Sequence, residues 1–348
     1  KQQVRVVRDY CASIGYDTIF GHTDSVFMKL GDQLTKEDCV EKGNELTEVI
    51  SKYVQSELGH DGAEWEFEQF MDRFFIAKKN RYAGRVVWAD GVWVEDKPLI
   101  KRLKASGFAL KAANTSKVVG DNQLEALNML FNGATRNDIV DFLKGRFNSI
   151  KNKEIPLSEL ASRVTIRKHL PCAYKPKGYG RWVRCDCGSC PAMVTPTMTK
   201  EEKKGLRERQ ADRMAYGIAG PSGSHYSRYI HGESLWRLLG ESPAAAAWFN
   251  DLLADETQAK IVKGESFYLV PVKGGPLPVP FRTHTELKRQ YGFVGCRQLS
   301  QIEDFDVDYE VYAYDAVVSP LKNLFEGMNW SVDLIRDIKT PSLQNYLY

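Results

Sequence analysis

Two groups of residues in this 348-residue chain have types and spacings that do chemistry. The first lies in Thr18-Ile19-Phe20-Gly21-His22-Thr23-Asp24-Ser25-Val26-Phe27-Met28. β-Branched and aromatic residues flank Gly-x-x-Asp, the pattern of a β-hairpin. A carboxylate at such a tip points away from the sheet, where a metal ion and a substrate can reach it. The second group is Cys172-x12-Cys185-x-Cys187-x2-Cys190, four thiols within nineteen positions among Lys, Arg and Gly. This spacing fits a tetrahedral Zn²⁺ held by thiolates, a structural site that staples a small module lacking its own core. An iron–sulfur cluster and buried free cysteines are the alternatives. A third stretch, Lys78-Lys79-Asn80-Arg81-Tyr82-Ala83-Gly84, sets positive charge beside an aromatic ring. Such cations neutralise phosphates and release counterions. A solvated, charged strand edge is the plain alternative.

These residues need elements to hold them. Val4, Val7, Tyr10, Cys11 and Ile14 recur at helical spacing, and Gly15 is a natural stop. Thr35 followed by Glu37 and Asp38 caps a second helix that runs to about Leu58. Glu64 to Phe70 alternates with period two, which predicts a half-buried strand. Arg73–Ala77 continues directly into the basic stretch. Val86–Trp88 and Val92–Val94 flank Asp90-Gly91, a second hairpin. Thr115 or Ser116 caps a helix over 117–131, and Thr135–Phe147 is amphipathic. A short helix at Pro156–Leu160, a strand at Arg163–Ile166 and a strand within Gly264–Val272 follow.

Composition narrows the classes. Hydrophobic content of 43% and charged content of 27% are ordinary for a globular chain. A net charge of +3 leaves any polyanion site to local clustering of Lys and Arg. No stretch approaches the roughly 20 apolar residues that a membrane span needs, so no membrane partner is expected. Seven cysteines is an odd count, and four lie together, which points to metal rather than to a disulfide framework.

The order of these motifs resembles family B DNA polymerases. The hairpin resembles the catalytic Tyr-Gly-Asp-Thr-Asp-Ser of that family, with Phe20 in place of Tyr, His22 in place of the first Asp, and Asp24 as the second. Lys78 to Tyr82 resembles the Lys-Lys-Arg-Tyr segment that grips the primer–template backbone. Ser106 to Ser116 resembles the stretch that ends the palm, with Lys111 facing the duplex and Asn114 where Asp is common. His225-Tyr226-Ser227-Arg228-Tyr229 matches a thumb helix whose His touches the strand backbone. The final Pro341–Tyr348 looks like a clamp-binding peptide, through Leu343, Gln344, Tyr346 and Tyr348.

The resemblance implies an α+β fold: a partial palm sheet with flanking helices, then a mainly helical thumb with an inserted zinc module. The expected divisions are palm over 1–112, thumb over 113–174, cysteine-rich insert over 175–220, thumb again over 221–330, and tail over 331–348. It implies template-directed primer extension by two Mg²⁺ ions, with Asp24 as a metal ligand and His22 and Thr23 beside it in the catalytic hairpin. Lys78, Lys79, Arg81, Tyr82, Lys111, Thr115 and His225 would contact DNA. The partners implied are primer–template DNA, deoxynucleoside triphosphates and a sliding clamp. The cysteine module has a basic rim of Lys175, Lys177, Arg181 and Arg184 with Trp182, which points to DNA contact as well.

The family's partner carboxylate, in Asp-Ser-Leu-Tyr-Pro, and its fingers motif, Asn-Ser-x-Tyr-Gly, do not occur in this sequence. The chain opens on Lys. It is therefore expected to be the C-terminal part of a larger polypeptide or of a split enzyme, inactive without an N-terminal polymerase part. The expected location is the cytoplasm of a bacterial or archaeal host, virus-encoded or not, or the nucleus in a eukaryote. The rival reading is a non-catalytic DNA-binding subunit that keeps the polymerase shape.

Overall fold

A computed structural model describes residues 2–21, 24–59, 62, 64–110, 115–166, 241–254, 257–277 and 279–336. The chain divides into two compact units. One comprises 1–108, 127–133 and 326–328; the other comprises 109–126, 134–325 and 329–348.

The first unit opens with helix α1, Gln2–Ser13, and Gly15 follows it at φ +88°. Strands β1, Thr18–Gly21, and β2, Val26–Met28, form the expected antiparallel hairpin. Helix α2, Lys36–Leu58, begins at a capping box. The Asp38 N–H donates to Thr35 Oγ1 at 3.1 Å, and the Thr35 N–H donates to Asp38 Oδ2 at 3.1 Å. Gly59, left-handed at φ +61°, terminates it. Val7 and Cys11 of α1 meet Leu46, Ile50 and Val54 of α2 in a closed apolar cluster. Burying each of the larger aliphatic side chains there contributes about 1.5–3 kcal/mol. Tyr10 and Tyr53 stack at 3.8 Å on the same helix pair.

A four-stranded antiparallel sheet completes this unit: β3 (Gln69–Lys78), β4 (Arg81–Ala89), β5 (Val92–Trp93) and β6 (Leu103–Ser106). Strand β4 pairs with each of the other three. Asp90 at φ +48° and Gly91 at φ +85° make the two-residue turn that their types predict. Two expectations change. The strand begins at Gln69, not Glu64, because β4 ends at Ala89 opposite Gln69, and beyond that pair only the Asp90 N–H reaches back, to the Glu68 carbonyl at 3.1 Å. The alternation there survives only as alternating exposure. The basic stretch is also not a continuous strand. Lys79 and Asn80 form a tight turn between β3 and β4, with Lys78 opposite Arg81 and Asn80 at φ +60°.

The second unit takes the first residues of α4 (Lys117–Phe131) and all of α5 (Arg136–Lys151), which starts at a second capping box between Thr135 and Asp138. A short helix α6, Leu157–Leu160, leads to β7, Ser162–Thr165. Helix α7, Glu241–Trp248, widens into a π-helical turn over Phe249–Leu253. Then come β8 (Ser266–Gly274), β9 (Phe281–His284), β10 (Arg289–Cys296) and β11 (Asp306–Val307). They pair antiparallel in the order β11-β8-β10-β9, with β7 on β8. The sequence reading anticipated β7 and β8 but not the strands after them. A helical run follows from Tyr309 to Gly327, with a π-helical turn at Tyr314–Val318. Asp308, fully buried, caps it through Val311 N–H and pairs with Arg289 at 2.7 Å.

Candidate active site

The β1–β2 hairpin is short, and its two faces bury different things. In the register, Phe20 lies opposite Phe27, so both rings share one face. Phe20 packs on Tyr82 with centroids 4.8 Å apart, and Phe27 packs on Phe74 at 5.2 Å and on Tyr82 at 5.5 Å. Val26 and Met28, one residue out of phase, face the α1–α2 cluster instead. Sheet on one side and helices on the other hold the ribbon in place. Its tip, Asp24, is exposed. His22 and Thr23 lie outside the described residues.

The basic turn belongs to the same unit. Tyr82, 8% exposed, sits among Phe20, Phe27 and Phe74, and burial pushes its hydroxyl pKa upward. Its ring therefore seats the hairpin. Three residues back along the chain, Lys79 is exposed at the turn, and Lys78 pairs with Glu326 at 3.0 Å across the surface. The turn is braced from β6: Ser106 Oγ donates to the Asn80 carbonyl at 3.1 Å. Gly107, at φ +74°, passes so close that a Cβ there would lie 2.6 Å from Arg81 Cγ and 2.9 Å from the Asn80 carbonyl. The structure thus brings together Asp24's hairpin and the turn carrying Lys78, Lys79, Arg81 and Tyr82.

Arg85 is a supporting residue that sequence reasoning missed. Its guanidinium grips Asp72 through two bonds, at 2.8 and 2.6 Å, and donates to Asn132 Oδ1 at 2.8 Å. The Asp72 hydrogen bond raises the Arg85 pKa further. The pair is mostly buried, with each side chain 16% exposed, and it clamps β3 to β4. Asp72 lies beside Arg73 in sequence and thirteen residues from Arg85, so only the sheet register reveals the pair.

Thr115 stands just before α4, half-buried, in the second unit. The Ser116 carbonyl takes the first helical bonds, from Val119 and Gly120. Lys111, His225, the four cysteines Cys172, Cys185, Cys187 and Cys190, and the tail residues Leu343, Gln344, Tyr346 and Tyr348 lie outside the described residues. Cys11, Cys39 and Cys296 are free and buried.

Among the described residues, no three His, Cys, Asp or Glu side chains come together as a metal cluster. Asp24 alone offers one exposed carboxylate. Its hard oxygen donors suit Mg²⁺, which binds proteins through one or two carboxylates and keeps several waters. It fits as one share of such a site, and a two-ion site needs a second carboxylate.

The site is thus an acid-tipped ribbon packed on an antiparallel sheet, with a cationic turn in the same unit. The model of DNA polymerase family B matches residues 2–180, just over half of the 348. The chain belongs to DNA polymerase family B. The match covers the hairpin, both flanking helices, the four-stranded sheet and β7, and ends between Cys172 and Cys185. No curated protein matches the chain. Membership carries a polymerase-related function, with DNA and nucleotides as substrates.

Proposed function

We propose that this chain is the palm end and thumb of a DNA-directed DNA polymerase. It extends a primer by two-metal nucleotidyl transfer together with a segment that carries the partner carboxylate and the fingers. The observation that carries this reading is the seating of the Asp24 hairpin on Tyr82 of the basic turn. One aromatic contact ties the metal-binding residue to the strand-binding residues.

In this reading Asp24 binds Mg²⁺ through its carboxylate oxygens. Mg²⁺ held there would supply neutralisation of triphosphate charge and activation of the primer hydroxyl. Lys79 and Arg81 neutralise backbone phosphates and fix the strand against the hairpin. Tyr82, Phe74 and Phe27 hold the carboxylate at a constant height over the sheet. Lys111, Thr115 and His225 extend the grip on the duplex. The four cysteines hold one structural Zn²⁺, and the last eight residues dock on a sliding clamp.

The test is primer extension by the chain reconstituted with the polypeptide that supplies the Asp-Ser-Leu-Tyr-Pro motif. Extension is expected with Mg²⁺ and is expected to fall by at least about 10³-fold for Asp24→Asn, consistent with loss of transition-state charge stabilisation. Unchanged extension by Asp24→Asn sinks the reading. One observation favours a second reading: His22 stands where the family has an acid, and imidazole is a poor Mg²⁺ ligand. In that reading the chain is a non-catalytic DNA-binding subunit. It binds primer–template normally while the reconstituted pair extends nothing.

A further inference from the structure

Strand β4 has a gap on the edge that carries β5 and β6. Strand β6 covers it from Tyr82 to Arg85, and β5 covers Trp88 and Ala89. Between them the chain bridges through a four-residue helix, α3 (Leu99–Arg102). Arg102 fills the missing strand's place: its guanidinium donates to the Lys97 carbonyl at 3.0 Å and to the Val86 carbonyl at 3.5 Å. Beside it is a cleft of about 170 Å³ whose polar lining is Lys97, Lys101, Arg102, Lys104 and Gln69. No acidic side chain lines it. Glu95 and Asp96 precede Lys97 in sequence but stand outside this lining, and Glu95 is engaged by Lys36. The ammonium groups of Lys97, Lys101 and Lys104 have no hydrogen-bond or ion-pair partner among the described residues.

Three lysines and an arginine around one hollow, with no acid in its lining, suit an anionic occupant. We infer that this cleft is a second backbone-phosphate site, which holds the DNA strand beyond the stretch gripped at the Lys79 turn. The inference rests on the polymerase reading for the strand itself. It adds where that strand runs. Val86 lies four residues along β4 from Tyr82, about 13 Å at strand spacing. That is two nucleotides or so of an extended backbone, so one strand can reach both places. The two sites share β4 as a rigid ruler. Gln69 offers an amide to the same phosphate oxygens, and Val94 and Leu103 also line the hollow.

The experiment measures binding of the full chain to fluorescent primer–template DNA across a salt series. The wild type is compared with the triple variant Lys97→Gln/Lys101→Gln/Lys104→Gln. Lys101→Glu alone, at an exposed position, serves as the second variant, and thermal unfolding confirms that both are folded. The triple variant should bind roughly tenfold or more weakly at low salt. Its slope of log affinity against log salt should shrink by about 2–3, the value for three phosphates. An unchanged slope overturns the inference. Lys78→Gln/Lys79→Gln separates the two failures. If that variant loses affinity while the cleft variants do not, the cleft assignment is wrong and the polymerase reading stands. If neither loses affinity, the DNA-binding reading itself fails. Inorganic triphosphate is titrated in parallel, to tell a strand phosphate from a free one. Saturation of the cleft by triphosphate at micromolar concentration, with DNA affinity unaffected by the triple variant, also overturns the inference.

Discussion

Asp24 owes its place to four rings that never touch a metal. Phe20 and Phe27 pair across the hairpin and rest on Phe74 and Tyr82 of the sheet. Removing one ring leaves a void that its neighbours fill only partly. Phe74 is half-buried, so Phe74→Ala should lower the unfolding free energy by about 2–3 kcal/mol, below the usual range for a fully buried Phe. Chemical denaturation measures this. In the reconstituted enzyme the same variant should slow extension while the Mg²⁺ concentration dependence stays put, and Phe74→Leu should recover most of both losses. The acid was legible from the sequence because Gly-x-x-Asp sits between two β-branched, aromatic runs. The supporting role of Tyr82 was not, because a Tyr within a basic run reads equally as a strand contact. Only the sheet register sets its ring under the hairpin.

Among the elements, the turn at Lys79–Asn80 was the least legible. It has no Gly, and its flanking cations read as one strand. Asn80 makes it feasible, since a short amide side chain tolerates the left-handed region. Asn80→Gly should be neutral or slightly stabilising. Asn80→Val should cost roughly 1–2 kcal/mol and misplace Lys79, visible as lost stability with weakened DNA binding. The helix starts, in contrast, were plain: Thr35 and Thr135, each three residues before Asp, become capping boxes. Their hydrogen bonds hold the Asp38 and Asp138 carboxyls below the ordinary value of 3.8. A depressed native pKa means that the unfolded chain binds more protons in acid, so stability rises with pH through that window. The contribution is complete above the ordinary value and is lost as pH falls through the native ones. Melting curves of Asp38→Asn and Asp138→Asn should therefore converge on the wild type between about pH 5 and about pH 2. Strands β9, β10 and β11 escaped the sequence reading because Arg282, His284 and Arg289 interrupt their apolar pattern. Pairing supplies the order that periodicity lacks: β8 pairs with β10 and β11, and β10 pairs with β9.

For the molecule as a whole, the net charge of +3 hides its distribution: the cations that matter are gathered at one turn and one cleft. The seven thiols divide in the same way. Burial raises the pKa of Cys11 and Cys39 and pushes Cys296 up to about 12, so all three should resist alkylation in the native state. With the proposed Zn²⁺ bound, the other four should resist too. A strong chelator should then release one metal ion per chain and expose four thiols, and denaturant should raise the count to seven. Four thiols reactive without chelator would remove the zinc module. The division into two units follows no single sequence boundary, because 127–133 and 326–328 return to the first unit from far along the chain. Linear reading could not have found that.

The ribbon packs on the sheet through Phe20 and Phe27 and on the helices through Val26 and Met28, which separates two kinds of damage. Substitution beneath the ribbon shifts where the negative charge stands; substitution at its end changes what stands there. Residues at the apex can therefore change while the rings under the ribbon keep Asp24 in its place.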